Sequence, residues 1–94
     1  NPEELLGAAH ASCFAMAFAN GLAENGTPPE SLQVTAAVTF DPAEGITGSH
    51  LLVSAKVANL SDDDFQRLAT EAKEGCPVSR ALAGTSITLE ASLA

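Results

Sequence analysis

The spacing of apolar residues switches between a helical and a strand period along the chain, and each switch marks an element. From Glu3 to about Asn20 or Ala23 the period is helical: Leu6, Ala9, Cys13, Met16 and Ala17 trace one broad stripe, and Leu5, Ala8, Phe14 and Phe18 another. A helix apolar nearly all round belongs at the centre of a fold, and Gly7 with its alanine neighbours would let another element come close. Asn1 can cap this helix, Pro2 suits its first turn, and Glu3 and Glu4 favour its positive end.

Asn25-Gly26-Thr27-Pro28-Pro29 punctuates the chain, and a period of two follows. Leu32, Val34, Ala36, Val38 and Phe40 alternate with Gln33, Thr35, Ala37 and Thr39, which predicts a strand with one buried face. After the turn Asp41-Pro42-Ala43-Glu44-Gly45, the alternation of Leu51, Val53, Ala55 and Val57 with Leu52, Ser54 and Lys56 predicts an antiparallel hairpin partner. Ser61 opens a second helix, with Asp64 completing an S-x-x-D box and Phe65, Leu68, Ala69 and Ala72 as its inward stripe. Gly75 stops that helix, and Pro77 starts a short third one through Val78, Ala81 and Leu82. Ile87, Leu89, Ala91 and Leu93 form a last strand. The order α-β-β-α-α-β predicts an α+β fold, a central apolar helix with antiparallel strands covered by helices on one face.

Composition narrows the function. A chain of 94 residues makes one domain with limited burial, a size compatible with a dimer. With 46% apolar but only 4% aromatic residues, the expected core is Ala, Leu and Val rather than stacked rings. The net charge of -8 repels nucleic acid and anionic membrane, so neither is expected as a partner. The apolar stretches read as too short to span a bilayer, and no basic region precedes a signal-like segment, which points to the cytoplasm. Two cysteines are too few for a disulfide scaffold, and no CxxC or four-ligand zinc pattern occurs, so no metal or cofactor site is expected.

The chemistry rests on those two cysteines. Cys13 lies too deep in its helix to gain from the helix terminus, and an apolar setting would raise its pKa, so a reactive Cys13 needs a nearby cation or donor. His10, Arg67 and Arg80 are the candidates, and none is compelling alone. Cys76, between a Gly stop and a Pro start, would face free backbone N–H groups, the stronger local activation signal. If the two cooperate, one thiolate attacks an oxidant, becomes a sulfenic acid, and the other condenses with it. Glu3 is about 15 Å along the helix from Cys13 and on spacing alone stabilises the helix end. Two other readings stay open: Cys13 as core and Cys76 as a loop residue in a noncatalytic dimerisation or small-ligand-binding module, and Cys13 with His10 as a hydrolase pair, which lacks an orienting acid.

Asn1-Pro2-Glu3-Glu4-Leu5-Leu6-Gly7-Ala8-Ala9-His10-Ala11-Ser12-Cys13-Phe14-Ala15-Met16-Ala17 and Gly75-Cys76-Pro77-Val78-Ser79 together resemble the two cysteine motifs of the OsmC/Ohr family, closest to its osmotically inducible OsmC branch. The resemblance extends over essentially the whole chain. It implies a thiol-dependent peroxidase acting on organic hydroperoxides, and less efficiently on hydrogen peroxide, that is restored by a dithiol reductant. Cys13 then matches the peroxidatic cysteine, Cys76 the resolving cysteine, and Glu3 the acid that orients a catalytic arginine. Members are intertwined homodimers with active sites at the subunit interface. The N-terminal strands that carry that arginine have no counterpart before Asn1, and neither Arg67 nor Arg80 occupies its motif position. The expectation is therefore a single OsmC-like domain over residues 1–94, N-terminally truncated.

Overall fold

A computed structural model describes all 94 residues. Helix α1, Pro2–Glu24, begins where the Glu4 N–H donates to Asn1 Oδ1 at 2.8 Å. It ends just past the expected range, because Gly26 at φ 83° takes the left-handed conformation that closes the helix. The Gly26 N–H then reaches Ala23 O at 3.0 Å and the Thr27 N–H reaches Leu22 O at 2.9 Å, satisfying the last carbonyls.

Strands β1, Ser31–Asp41, and β2, Gly45–Lys56, form the expected antiparallel hairpin, joined by a turn in which Asp41 Oδ1 accepts the N–H groups of Ala43 and Glu44. Strand β2 starts earlier than the alternation suggested, taking in Ile46 to His50. Helix α2, Asp62–Gly75, is capped by Ser61 Oγ accepting the Asp64 N–H. Helix α3, Pro77–Ala81, and strand β3, Ser86–Leu93, follow. The sheet order is β1-β2-β3, and β3 runs parallel to β2, not antiparallel as expected. The α2-α3 passage is the cause: it is a helical crossover long enough to return the chain to the end where β2 began.

One ridge of α1, made of Gly7, His10, Phe14, Phe18 and Leu22, is buried, and it packs with β2 residues Leu51, Val53 and Ala55 and with α2 residues Phe65, Ala69 and Ala72. The centre is aromatic after all. Phe18 lies 5.5 Å from Phe14 and 5.3 Å from Phe65, ring to ring and tilted, so few aromatics suffice when three meet. The two predicted stripes of α1 are only partly right. Leu5 and Met16 are about three-quarters exposed (73% and 74%), because the rings and the close approach at Gly7 fix which side turns inward. Within this chain α1 is therefore covered on one side rather than wrapped. It is also long and apolar enough to cross a bilayer by length and composition, contrary to expectation, yet its aromatic ridge is committed to the core.

Two smaller departures have local causes. Phe40 is exposed near the end of β1, beside the register shift between Thr39 and Phe40 where Thr47 is an extra residue on β2. Ala81 is exposed because α3 is a single short turn whose inward residue is Ser79.

Gly7 sets the distance between helix and sheet, since a Cβ there would lie 2.9 Å from the Ala36 carbonyl oxygen. Gly21, on the same helix, has open space around it. Urea unfolding should separate them: Gly7→Ala destabilises by about 1 to 3 kcal/mol despite its gain in helix propensity, whereas Gly21→Ala stabilises by up to about 1 kcal/mol. Equal signs for the two would refute the close-contact account.

Candidate active site

Cys76 occupies a junction, ending α2 as its cap and preceding α3 at the same time. Its N–H donates to Ala72 O at 3.0 Å, and Pro77 holds it in the extended conformation (φ −64°, ψ 123°) while starting the next helix. The side chain is thereby turned inward and fully buried. Cys13, on the flank of α1 next to buried Phe14, remains partly accessible. The fold brings the two free thiols together from distant parts of the chain, close enough to interact with each other.

Their surroundings differ in electrostatic effect. Burial raises the Cys13 pKa, and the interaction with Cys76 adds to the rise, with only the Val78 backbone N–H opposing it. Burial also pushes the Cys76 thiol up, but donation from Cys13, from the backbone and hydroxyl of Ser79 and from the Val78 backbone outweighs it, and the net shift is downward. Cys76 makes no side-chain capping hydrogen bond at the start of α3. In the contact between the two thiols Cys13 is the donor and Cys76 the acceptor.

His10 is fully buried, with Nδ1 2.7 Å from Ser49 Oγ and Nε2 2.8 Å from Ser79 Oγ. Both ring nitrogens are occupied, which removes the hydrolase pairing of His10 with Cys13. Burial lowers the His10 pKa below its ordinary 6.5, keeping the ring neutral. Neither Ser49 nor Ser79 was singled out from sequence. The available signals were Ser49 in phase with Leu51 and Val53 on the buried face of β2, and Ser79 three residues after Cys76 and hence on the same side of α3.

Glu3 stands in the first turn of α1, away from both thiols along the helix, and makes no hydrogen bond or ion pair. Arg67 pairs with Asp64 and Glu71 on the outer side of α2, at 3.5 and 3.3 Å. Arg80 borders an open cavity of about 270 Å³ with Lys73, Glu74 and Ser79, a cavity that neither cysteine lines. No cation of this chain therefore faces Cys13.

The family model described as OsmC-like protein matches residues 1–92. The chain belongs to the OsmC-like family. Peroxiredoxin OsmC of Escherichia coli strain K12 is 42% identical over 93 residues, covering 96% of this chain and 64% of that protein. Organic hydroperoxide resistance protein-like 1 of Staphylococcus saprophyticus is 36% identical over 88 residues, covering 89% of this chain and 62% of that protein. The chain thus spans less than two thirds of the curated relatives it matches. An OsmC-like protein from Vibrio cholerae superposes with a TM-score of 0.85 at 21% identity, covering 97% of this chain and 63% of that one, which shows the shared OsmC-like α+β fold.

The neutral, buried His10 has a consequence for stability. Below about pH 6.5 the unfolded chain takes up a proton on this ring that the folded chain does not, so unfolding becomes easier as pH falls. Urea midpoints measured at pH 7 and pH 5 should drop on acidification, and the drop should be smaller in His10→Gln. An equal drop in both proteins would show that His10 does not contribute to the acid sensitivity.

Proposed function

We propose that the protein is a thiol-dependent peroxidase that reduces organic hydroperoxides, and hydrogen peroxide less efficiently, through a Cys13–Cys76 disulfide cycle. The observation that carries this is the meeting of the only two cysteines at one buried junction, each thiol modifying the other's ionisation. The names of the E. coli and Staphylococcus relatives support the reaction class.

Access and acidity favour different sulfurs for the first step. Cys76 ionises more easily but is sealed from solvent, whereas Cys13 is reachable but held protonated. A hydroperoxide can only react with a sulfur it meets, so Cys13 is the attacking residue and needs help to ionise. The Cys13 thiolate attacks the hydroperoxide oxygen, the O–O bond breaks, and the alkoxide leaves as an alcohol after protonation. Cys76 then displaces water from the Cys13 sulfenic acid to form the disulfide, and a dithiol reductant restores both thiols in the cytoplasm.

The missing cation is an arginine outside the two of this chain, held in place by Glu3 in a charge-assisted contact. Along one α1 the separation of Glu3 and Cys13, about 15 Å, exceeds what a single guanidinium spans. A homodimer resolves this when the uncovered sides of two α1 helices meet head to tail, so that Glu3 of one copy approaches Cys13 of the other. The exposed Leu5 and Met16 are then interface residues.

Stopped-flow consumption of an alkyl hydroperoxide by the full-length protein tests the assignment. Cys13→Ser should lose activity by at least about a thousandfold, while Cys76→Ser should still react once and stop at the sulfenic acid. Intact mass then reads a loss of about 2 Da in the wild type and a gain of about 16 Da in Cys76→Ser. A Cys13→Ser protein as fast as wild type would sink the mechanism, and two thiols untouched by hydroperoxide would favour a noncatalytic dimerisation or ligand-binding module. In light scattering, Met16→Glu should shift the full-length protein toward a monomer; an unaltered dimer would place the interface elsewhere.

A further inference from the structure

Ser49, His10 and Ser79 form one line of side chains running from β2 through α1 to α3, with links of 2.7 Å and 2.8 Å, and Cys76 lies three residues before Ser79; none of the four side chains is more than 6% exposed. Spacing along α3 puts Ser79 on the side of Cys76, three residues on. The peroxide-facing chemistry at Cys13 does not use His10, yet the ring ties three elements together directly behind the second thiol.

The line has a direction. A neutral imidazole carries one N–H and one lone-pair nitrogen, and a serine has a single O–H. If Ser79 donates that O–H to the Cys76 sulfur, its oxygen must accept from His10. Nε2 then holds the ring proton, and Nδ1 accepts from the Ser49 hydroxyl. In the other tautomer Ser79 would donate to His10 and turn only lone pairs toward the sulfur, which a thiolate would disfavour.

We propose that His10, braced by Ser49, is a positioning residue that holds the Ser79 hydroxyl as a donor to Cys76 and thereby speeds closure of the Cys13–Cys76 disulfide. In that step the Cys76 thiolate attacks the sulfur of the Cys13 sulfenic acid. The S–S bond forms as the S–O bond breaks, and the departing hydroxide takes up the proton that Cys76 gave up, so that sulfenic acid and thiol yield disulfide and water. The effect on rate rests on the proposed redox pairing; the tautomer and the ionisation of Cys76 do not.

The first measurement is therefore independent of turnover. Nitrogen-15 spectra of the reduced full-length protein at pH 7 should show His10 as the Nε2–H tautomer, and the Nδ1–H tautomer would overturn the proposal. The second uses thiolate absorbance near 240 nm, which is readily followed because the chain has no Tyr or Trp. In a Cys13→Ser background, Ser79→Ala and His10→Leu should move Cys76 ionisation to higher pH. Ser79→Thr and His10→Gln should restore it, the latter because an amide can donate to Ser79 and accept from Ser49. Titrations unchanged by Ser79→Ala would refute the relay. Finally, with tert-butyl hydroperoxide as the probe and Cys13 intact, Ser79→Ala should leave sulfenic acid formation unchanged and slow disulfide closure about tenfold, the worth of a charge-assisted hydrogen bond. Equal slowing of both steps would remove the assignment to closure. A wild-type Cys13 inert to hydroperoxide would defeat the peroxidase reading while the tautomer and titration results still judged the relay.

Discussion

The rotation of α1 about its own axis is the constraint on which the rest depends. Three features fix it: Phe14, Phe18 and Leu22 fill the core, Gly7 admits the Ala36 carbonyl, and His10 requires its two serines. With that ridge facing the sheet, Cys13 is turned about 100° from Phe14, one residue's rotation, and lands on the boundary between the buried and open sides. A boundary position is what a two-partner thiol needs. Its inner side meets Cys76, and its outer side stays partly open to solvent.

The second thiol is placed by a different device. A helix that ends and another that begins at the same residue leave that residue extended, next to the unpaired N–H groups of the following turn. Pro77 enforces both conditions, restricting the residue before it and supplying a first helical position that needs no hydrogen. Burial and donors act against each other at Cys76, and the donors prevail; at Cys13 burial and its neighbour act together. One environment therefore yields a sheltered, easily ionised sulfur beside an accessible, poorly ionised one. In the proposed cycle this division suits Cys76 to the second, disulfide-forming step and leaves Cys13 in need of a further group to ionise it.

Much of this was legible in the sequence, and the gaps have physical reasons. The element order, the hairpin, the stripe of α2 and the Cys76 junction follow from periodicity and from Pro, Gly and Ser signals, which act locally. The direction of β3 does not, because parallel pairing depends on where a crossover returns the chain. Nor does the inward side of α1, since a helix apolar all round has no pattern to read and the choice falls to volume and polar partners elsewhere. Phe40 shows the same limit on a smaller scale, as the regular alternation of β1 does not announce the bulge on β2 beside it. His10 stood in the sequence only as a candidate neighbour of Cys13, because its partners lie on β2 and α3 and nothing near it in sequence names them.

The polar line behind Cys76 also bears on why this core is built as it is. Every buried side-chain nitrogen and oxygen in the chain has a partner, so the line carries no unsatisfied group. Its net contribution to stability is nevertheless modest, because each hydrogen bond replaces one to water, and apolar residues of the same shape would fill the space about as well. Packing alone would not demand an imidazole between two hydroxyls. What apolar residues would not supply is a hydroxyl of fixed orientation beside a buried sulfur, and a buried thiolate depends on donors of this kind because water cannot reach it.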